Sequence, residues 1–234
     1  MPNPYFAFKQ FVIHHDRCAM KVGTDGVLLG AWTDVSLAHR VLDIGTGTGL
    51  VALMLAQRCG ATILAIDIDK DAVGQAQENV SASPWGNRVE VGEQDVRSYE
   101  TNMLFDTIVS NPPYFIDSMK CPDGQRSTAR HTDTLHADEL MEKVSELLTS
   151  EGKFSLILPF EQSEELVRIA ERVGLYPSRH TRVITRPGFS PKRSLMEFGK
   201  VKGECMEDEL TIELERHVYT DEYIALTKDF YLKM

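Results

Sequence analysis

The chain has 234 residues, 42% of them hydrophobic and 26% charged, enough for one well-buried core and too short for two full-sized domains. Its four cysteines, Cys18, Cys59, Cys121 and Cys205, form no C-x-x-C pair, which argues against a zinc ribbon, a dithiol redox motif or a disulfide scaffold. No run approaches the roughly 18 apolar residues of a membrane span and no basic, apolar export signal opens the chain, so a cytoplasmic protein is expected; the net charge of −10 argues against a nucleic-acid partner unless positive charge is concentrated locally.

Residues 1–39 read as a leader and 40–234 as one folded domain. In the leader, "FAF" and "FVI" read as core packing. His14, His15 and Asp16 sit together but lack a fourth ligand at suitable spacing, so no metal site is expected. The segment "RVLDIG" (Arg40 to Gly45) is a short apolar strand running into glycines, and Thr48 to Cys59 follows with helical apolar spacing. A second buried strand, "ATILAID" (Ala61 to Asp67), precedes a polar-faced helix beginning at Lys70. "RVEVGEQD" (Arg88 to Asp95) alternates as a third strand, and "LFDTIVSN" (Leu104 to Asn111) is a fourth. After a polar loop, Ala137 to Gly152 reads as a helix stopped by Gly152, "KFSLILPF" as a fifth strand, and Glu161 to Gly174 as one more helix. The acidic run "ECMEDELTIELE" reads as an edge strand with a solvated face. Such β-α-β-α succession predicts an α/β fold, a doubly wound, Rossmann-like parallel sheet that binds ligands at the carboxyl ends of its strands.

The first strand-to-helix turn, "VLDIGTGTGL", carries Gly45, Gly47 and Gly49, which let the backbone approach a ligand closely while the next helix presents free N–H groups. A dinucleotide fingerprint from Gly45 would need glycine at position 50, where Leu50 stands. Asp67, 22 residues beyond Gly45, ends the second strand where a carboxylate can accept from both hydroxyls of a ribose. Asp95 ends the third strand, placed to accept from an adenine amino group. The fourth strand runs into Asn111, Pro112, Pro113 and Tyr114. Two prolines fix their own φ, donate no backbone N–H and push the preceding residue toward extended backbone, so this is a rigid, open turn.

Taken together, the glycines, Asp67, Asp95 and N-P-P-Y after a fourth strand resemble the class I methyltransferases that use S-adenosylmethionine. The resemblance implies a mostly parallel seven-stranded sheet with a short N-terminal extension covering the cofactor. It implies cofactor contacts at Asp43, Gly45, Thr46, Gly47, Gly49, Asp67, Ile68, Asp95, Val96 and Asn111, with Thr24 and Asp25 helping to enclose the methionine end; either of these two could also cap a helix. Asn111, Pro112, Pro113 and Tyr114 match the motif of the amine-methylating branch, in which the target is adenine N6 in DNA or RNA, guanine N2 in RNA, or a glutamine amide in release factors. Release-factor enzymes carry a helical domain before the glycine-rich strand, whereas only about 39 residues precede it here. The leader from Phe6 to Trp32, "ARHT", "PKRSLMEF" and "LTKDFYLKM" look like the bacterial tRNA adenine-N6 methyltransferases that modify adenine 37 of a valine tRNA. That likeness implies a tRNA partner; a monomer with no metal and no membrane attachment is expected.

Charge distribution supplies a candidate RNA surface. From Arg179 to Lys202 seven Lys or Arg stand against one acid, Glu197, a basic strip on an acidic body expected to attract phosphates. Arg186, Lys192 and Arg193 in that strip, with Phe115, Arg126, Arg130 and His131 after the N-P-P-Y turn, are the candidate RNA contacts.

Overall fold

The computed structural model describes residues 3–18, 21–112 and 135–233. The leader opens with an antiparallel hairpin, β1 (Tyr5–Ala7) and β2 (Val12–His14). It continues into α1 (Thr24–Trp32), which is buried from Gly26 onward. A helix apolar on every side belongs inside a core, and Phe8, Phe11, Ile13 and α1 join residues 50–56 in one hydrophobic cluster. Gly23, not Thr24 or Asp25, is the N-cap of α1, with no side-chain cap bond. Asp25 instead lies inside the first turn, where its charge favours the positive end of the helix.

The central elements follow the order of the sequence reading: β3 (Arg40–Ile44), α2 (Leu50–Arg58), β4 (Thr62–Asp67), α3 (Lys70–Ser81), β5 (Val89–Glu93) and β6 (Phe105–Ser110). Then come α4 (Ala137–Leu147), β7 (Leu148–Pro159), α5 (Ser163–Arg172), β8 (Tyr176–Ile184), β9 (Arg193–Gly199) and β10 (Met206–Thr211). A small hairpin, β11 (Glu213–Glu215) with β12 (Val218–Tyr219), leads to α6 (Asp221–Thr227). The helix expected up to Gly152 ends five residues early. Leu148 is fully buried and pairs with Phe105 of β6, so the stretch from Leu148 gains a strand partner that outweighs its helical pattern.

The sheet has the order β10-β8-β9-β7-β6-β3-β4-β5, and every neighbouring pair is parallel except those made by β9. It therefore holds eight strands rather than seven. The extra one is the acidic run, which adds β10 alongside β8, with Glu209 opposite Arg182 and Asp208 opposite Thr181. One face packs α1, α2 and the leader hairpin, and the other packs α4 and α5. Strand order reverses at β3, which lies between β4 and β6. Ligands in such sheets bind in the crevice outside the strand ends at that reversal.

The two ends of the chain meet. Phe8 bridges Tyr231, the Lys9 amide donates to the Phe230 carbonyl at 2.8 Å, and Phe8 and Tyr231 stack at 6.0 Å. No helix among the described residues is long and apolar enough to cross a membrane.

Candidate active site

The glycine-rich turn is pinned to the neighbouring strand. The Gly45 and Thr46 amides both donate to the Ile66 carbonyl, at 2.9 and 3.0 Å, and the Gly47 amide donates to Asp67 Oδ2 at 2.8 Å. Gly45 and Gly47 take left-handed backbone at φ 72° and 55°, and a Cβ on either would meet no atom within 4 Å. Both line the cleft. The space that two side chains would fill is a cradle where a ligand can approach the backbone. Gly49 has a different job: it is the N-cap of α2, and a Cβ there would stand 3.4 Å from Ala76 of α3.

The cleft has a volume of about 250 Å³ and lies at the carboxyl ends of β3, β4, β5 and β6. Asp67 and Ile68 come from the end of β4, Asp95 and Val96 from the segment after β5, and Asn111 and Pro112 from the end of β6. Ile68 is half exposed and Val96 is buried; with Ile44, Ile66 and Leu135 they give the cleft an apolar lining, on which Asp67, Asp69 and Asp95 outnumber the one cation, Arg97. A cationic ligand with a sugar and a flat base fits that donor and acceptor set. Asp67 already accepts from the Gly47 and Asp69 amides, and each oxygen retains a lone pair for a hydroxyl. Asp95 is less open than its position in the sequence implied. It accepts from the Arg97 amide at 2.9 Å and from the Arg97 guanidinium at 2.7–3.0 Å, which holds its carboxyl below the usual carboxylate range.

Asn111 stands at the mouth of this cleft. Ser110 Oγ donates to the Ile44 carbonyl at 2.9 Å, tying the end of β6 to the strand that carries the glycines. The first turn of α1 closes in from the other side, since a Cβ on Gly26 would lie 4.0 Å from Asn111 Nδ2. Among the described residues none hydrogen-bonds to the Asn111 side chain, which leaves its amide for a ligand. Pro113, Tyr114, Phe115, Arg126, Arg130 and His131 lie outside the described residues.

Among the described residues, Thr24, Asp25, Asp43, Thr46 and Gly49 do not line the cleft. Asp43 and Thr46 form a buried layer beneath it: Thr46 Oγ1 donates to Asp43 Oδ2 at 2.7 Å, and the Ala52 amide donates to the same oxygen at 3.2 Å. Burial pushes the Asp43 carboxyl up to about 7, with Asp67 adding to the shift and the two hydrogen bonds opposing it. The same carboxyl titrates near about 3.9 in an unfolded chain. A carboxyl with a raised folded pKa stabilises the fold below its unfolded value and loses that contribution as pH climbs through its folded value. Asp43 should therefore weaken folding progressively between about pH 4 and 7, by on the order of 4 kcal/mol in all. Asp43→Asn does not titrate, so its stability relative to wild type should rise across that interval in denaturant melts. A pH-independent difference would contradict the assignment.

Three groups escaped sequence reasoning. Cys18 lines the cleft beside Asp69; burial, with help from Asp69 and Asp67, pushes its thiol up to about 11. It stays protonated at neutral pH and is a poor competitor for an electrophile bound next to it. Asn79, buried on α3, accepts from the His14 amide and donates to the His14 and Thr48 carbonyls, each at 2.9 Å. It fastens the leader to the glycine-rich turn. Gln75, one turn earlier, accepts from the Arg17 amide at 3.3 Å. Neither amide had a sequence signal, because a polar residue on an amphipathic helix reads as solvated surface.

The basic strip is largely consumed within the fold. Arg179 pairs with Asp208, Arg182 with Glu207 and Glu209, and Arg186 with Glu213. Lys200 donates to the Leu148 carbonyl. The acidic run is therefore the partner of the basic run, and a phosphate would meet Arg179, Arg182 and Arg186 in competition with these carboxylates. Arg193 and Asp25, cast as a phosphate contact and a cofactor contact, pair with each other at 2.8 Å. Lys192 remains exposed.

Comparison with known proteins shows similarity of both sequence and fold. The methyltransferase small domain family matches residues 22–174. The chain is 59% identical over 234 residues, covering 100% of both chains, to a tRNA1(Val) (adenine(37)-N6)-methyltransferase of Phocaeicola vulgatus. It is 47% identical to a protein of the same name from Tolumonas auensis, over 98% of this chain and 97% of that one. A predicted O-methyltransferase from Agrobacterium tumefaciens superposes with a TM-score of 0.70 at 20% identity, over 88% of this chain and 96% of its own. A glycopeptide N-methyltransferase solved with S-adenosylmethionine gives 0.56 at 15% identity, over 77% and 100%. These two likenesses concern the fold.

Proposed function

The chain belongs to the methyltransferase small domain family and, within it, to the tRNA1(Val) (adenine(37)-N6)-methyltransferases, and from that premise we propose that it methylates N6 of adenine 37 in valine tRNA, using S-adenosylmethionine. The observation that carries this reading is the placement of Asn111 on the same cleft as the Gly45–Gly47 cradle and Asp67. When bound, the cofactor supplies an electrophilic methyl group on a sulfonium. Asp67 holds the ribose, Ile68 and Val96 hold the adenine ring between them, and the Gly45 and Gly47 backbone faces the methionine part. Residues 1–39 act as the extension that covers this site, which the position of Cys18 on the cleft wall supports, and residues 40–234 form the catalytic domain. The enzyme works in the cytoplasm.

The target amine is a weak nucleophile because its lone pair is delocalised into the purine. Asn111 Oδ1 and the Pro112 carbonyl each accept one amine hydrogen, which favours a more tetrahedral nitrogen whose lone pair points at the methyl group. The prolines stop these acceptors from rotating away, so orientation is set before the base arrives. Tyr114 stacks on the base. The extra proton of the methylated nitrogen leaves to water, and no side chain is assigned as a general base. Adenine 37 must leave its stack to reach the cleft.

The direct test is methyl transfer from labelled cofactor to a valine tRNA transcript, with the product digested to nucleosides. Label in N6-methyladenosine, lost when adenine 37 is changed to guanine, is the expected result. Label that persists in the guanine transcript would overturn the position, and label on protein or DNA alone would overturn the substrate.

A further inference from the structure

We propose that the turn between β8 and β9 is a stacking platform for a base next to the target adenine, with Phe189 as the platform and Lys192 as its phosphate contact. The proposal rests on the RNA-methylating reading above. Phe189 is 55% exposed, unusual for a ring with no packing duty. The other exposed aromatic side chain among the described residues, Tyr5, packs on His14 with ring centroids 5.8 Å apart. Phe189 is also held in place. Its amide donates to the Arg186 carbonyl at 3.1 Å, closing a turn whose inner residues are Pro187 and Gly188, the latter at φ 83°. Proline followed by a left-handed glycine is the sequence of a rigid type II turn.

One face of the ring is already taken. The Arg186 guanidinium lies 5.4 Å from the ring centroid, and its Nε is 3.9 Å from Glu213 on β11. The cation backs the ring, which is still 55% exposed, and a cation-backed, exposed aromatic suits a nucleobase.

Position relative to the cleft follows from the chain itself. Phe189 is four residues from Arg193, so their Cα atoms are at most about 14 Å apart. The Lys192 amide donates to the Val183 carbonyl at 2.8 Å, and its carbonyl accepts from the Phe160 amide at 3.2 Å, fixing the turn to the carboxyl ends of β8 and β7. Arg193 reaches Asp25 at 2.8 Å, and the next residue, Gly26, abuts Asn111. Platform and cleft thus share one edge of the sheet, a few nucleotides apart. That separation assigns Phe189 a neighbour of the flipped base rather than the flipped base itself. Removing adenine 37 from its stack leaves that neighbour without a partner, and an exposed ring restores one. Lys192 is the exposed cation of this turn, and none of the ion pairs that consume Arg179, Arg182 and Arg186 involves it.

The test is fluorescence anisotropy of full-length protein with a labelled anticodon stem–loop of valine tRNA, alongside cofactor affinity by calorimetry. Phe189→Ala should weaken RNA binding about tenfold and leave cofactor affinity unchanged. Phe189→Trp should bind like wild type, whereas Phe189→Leu, apolar but without a π face, should bind like the alanine variant. Lys192→Ala should flatten the salt dependence of binding by about one unit of log–log slope. RNA binding by Phe189→Leu equal to wild type, or by Phe189→Ala unchanged, overturns the platform. So does loss of self-association instead of RNA affinity, which would make the ring a protein contact. The transcript assay of the preceding section judges the methylation reading separately, because stem–loop binding is read without any methyl transfer.

Discussion

Asn111→Ala should lower methyl transfer at least about a thousandfold while cofactor affinity stays within a few-fold. In the proposed mechanism the side chain is the first of two acceptors for the amine, and removing it would leave the nitrogen lone pair delocalised and unaligned. The Asn111 side chain carries no hydrogen bond to the rest of the described fold, and Ser110 Oγ holds the end of β6 by an independent bond to Ile44. The variant should therefore fold normally, which a thermal melt will check. Asn111→Asp keeps an acceptor at the same reach and should retain measurable activity; Asn111→Leu should retain none. Single-turnover rates at saturating cofactor and tRNA give the comparison. Turnover by the alanine variant close to wild type would remove Asn111 from the chemistry and with it the assigned role of the N-P-P-Y turn.

Asp67→Ala should weaken cofactor binding about a hundredfold, from the loss of two charge-assisted hydrogen bonds to hydroxyls, with the rate at saturating cofactor little changed. Part of the loss is indirect, because Asp67 also anchors the Gly47 and Asp69 amides at 2.8 and 3.0 Å. Without it the cradle loses one of the bonds that set its shape. Asp67→Asn keeps one acceptor oxygen and should recover part of the affinity. Calorimetry on the three proteins separates these contributions, and a dissociation constant for Asp67→Ala within threefold of wild type would contradict the ribose assignment. A raised Michaelis constant for cofactor with unchanged kcat is the matching kinetic signature.

What the sequence revealed and what it hid divide along a physical line. The strands β3, β4, β5 and β6 and the helices between them were legible because apolar spacing, glycine and the following acid are local signals. Gly45, Gly47, Asp67 and Asn111 were legible for the same reason: each sits at a strand end, where topology alone delivers it to one edge. Hidden were the contacts between segments distant in sequence. Nothing local announces that Arg182 will face Glu207 and Glu209, that Arg193 will reach Asp25, or that Asn79 will substitute for a strand partner of His14. Charge counted along the chain placed a free basic strip where the fold has a neutralised parallel pair. The same blindness ended α4 at the wrong residue, since the pairing of Leu148 with Phe105 is a tertiary event.

The junction of the two chain ends has a consequence for biosynthesis. Lys9 is seated by the carbonyls of Phe230 and Lys228, the latter 219 positions away along the chain. Residues that emerge from the ribosome early must wait for residues that emerge late before they can dock. Until then the segment that carries Cys18 is held by Asn79, Gln75, the Arg17–Glu78 ion pair and the packing of Phe11 and Ile13 in the core. A nascent chain can thus assemble its sheet first and dock its earliest residues against it last.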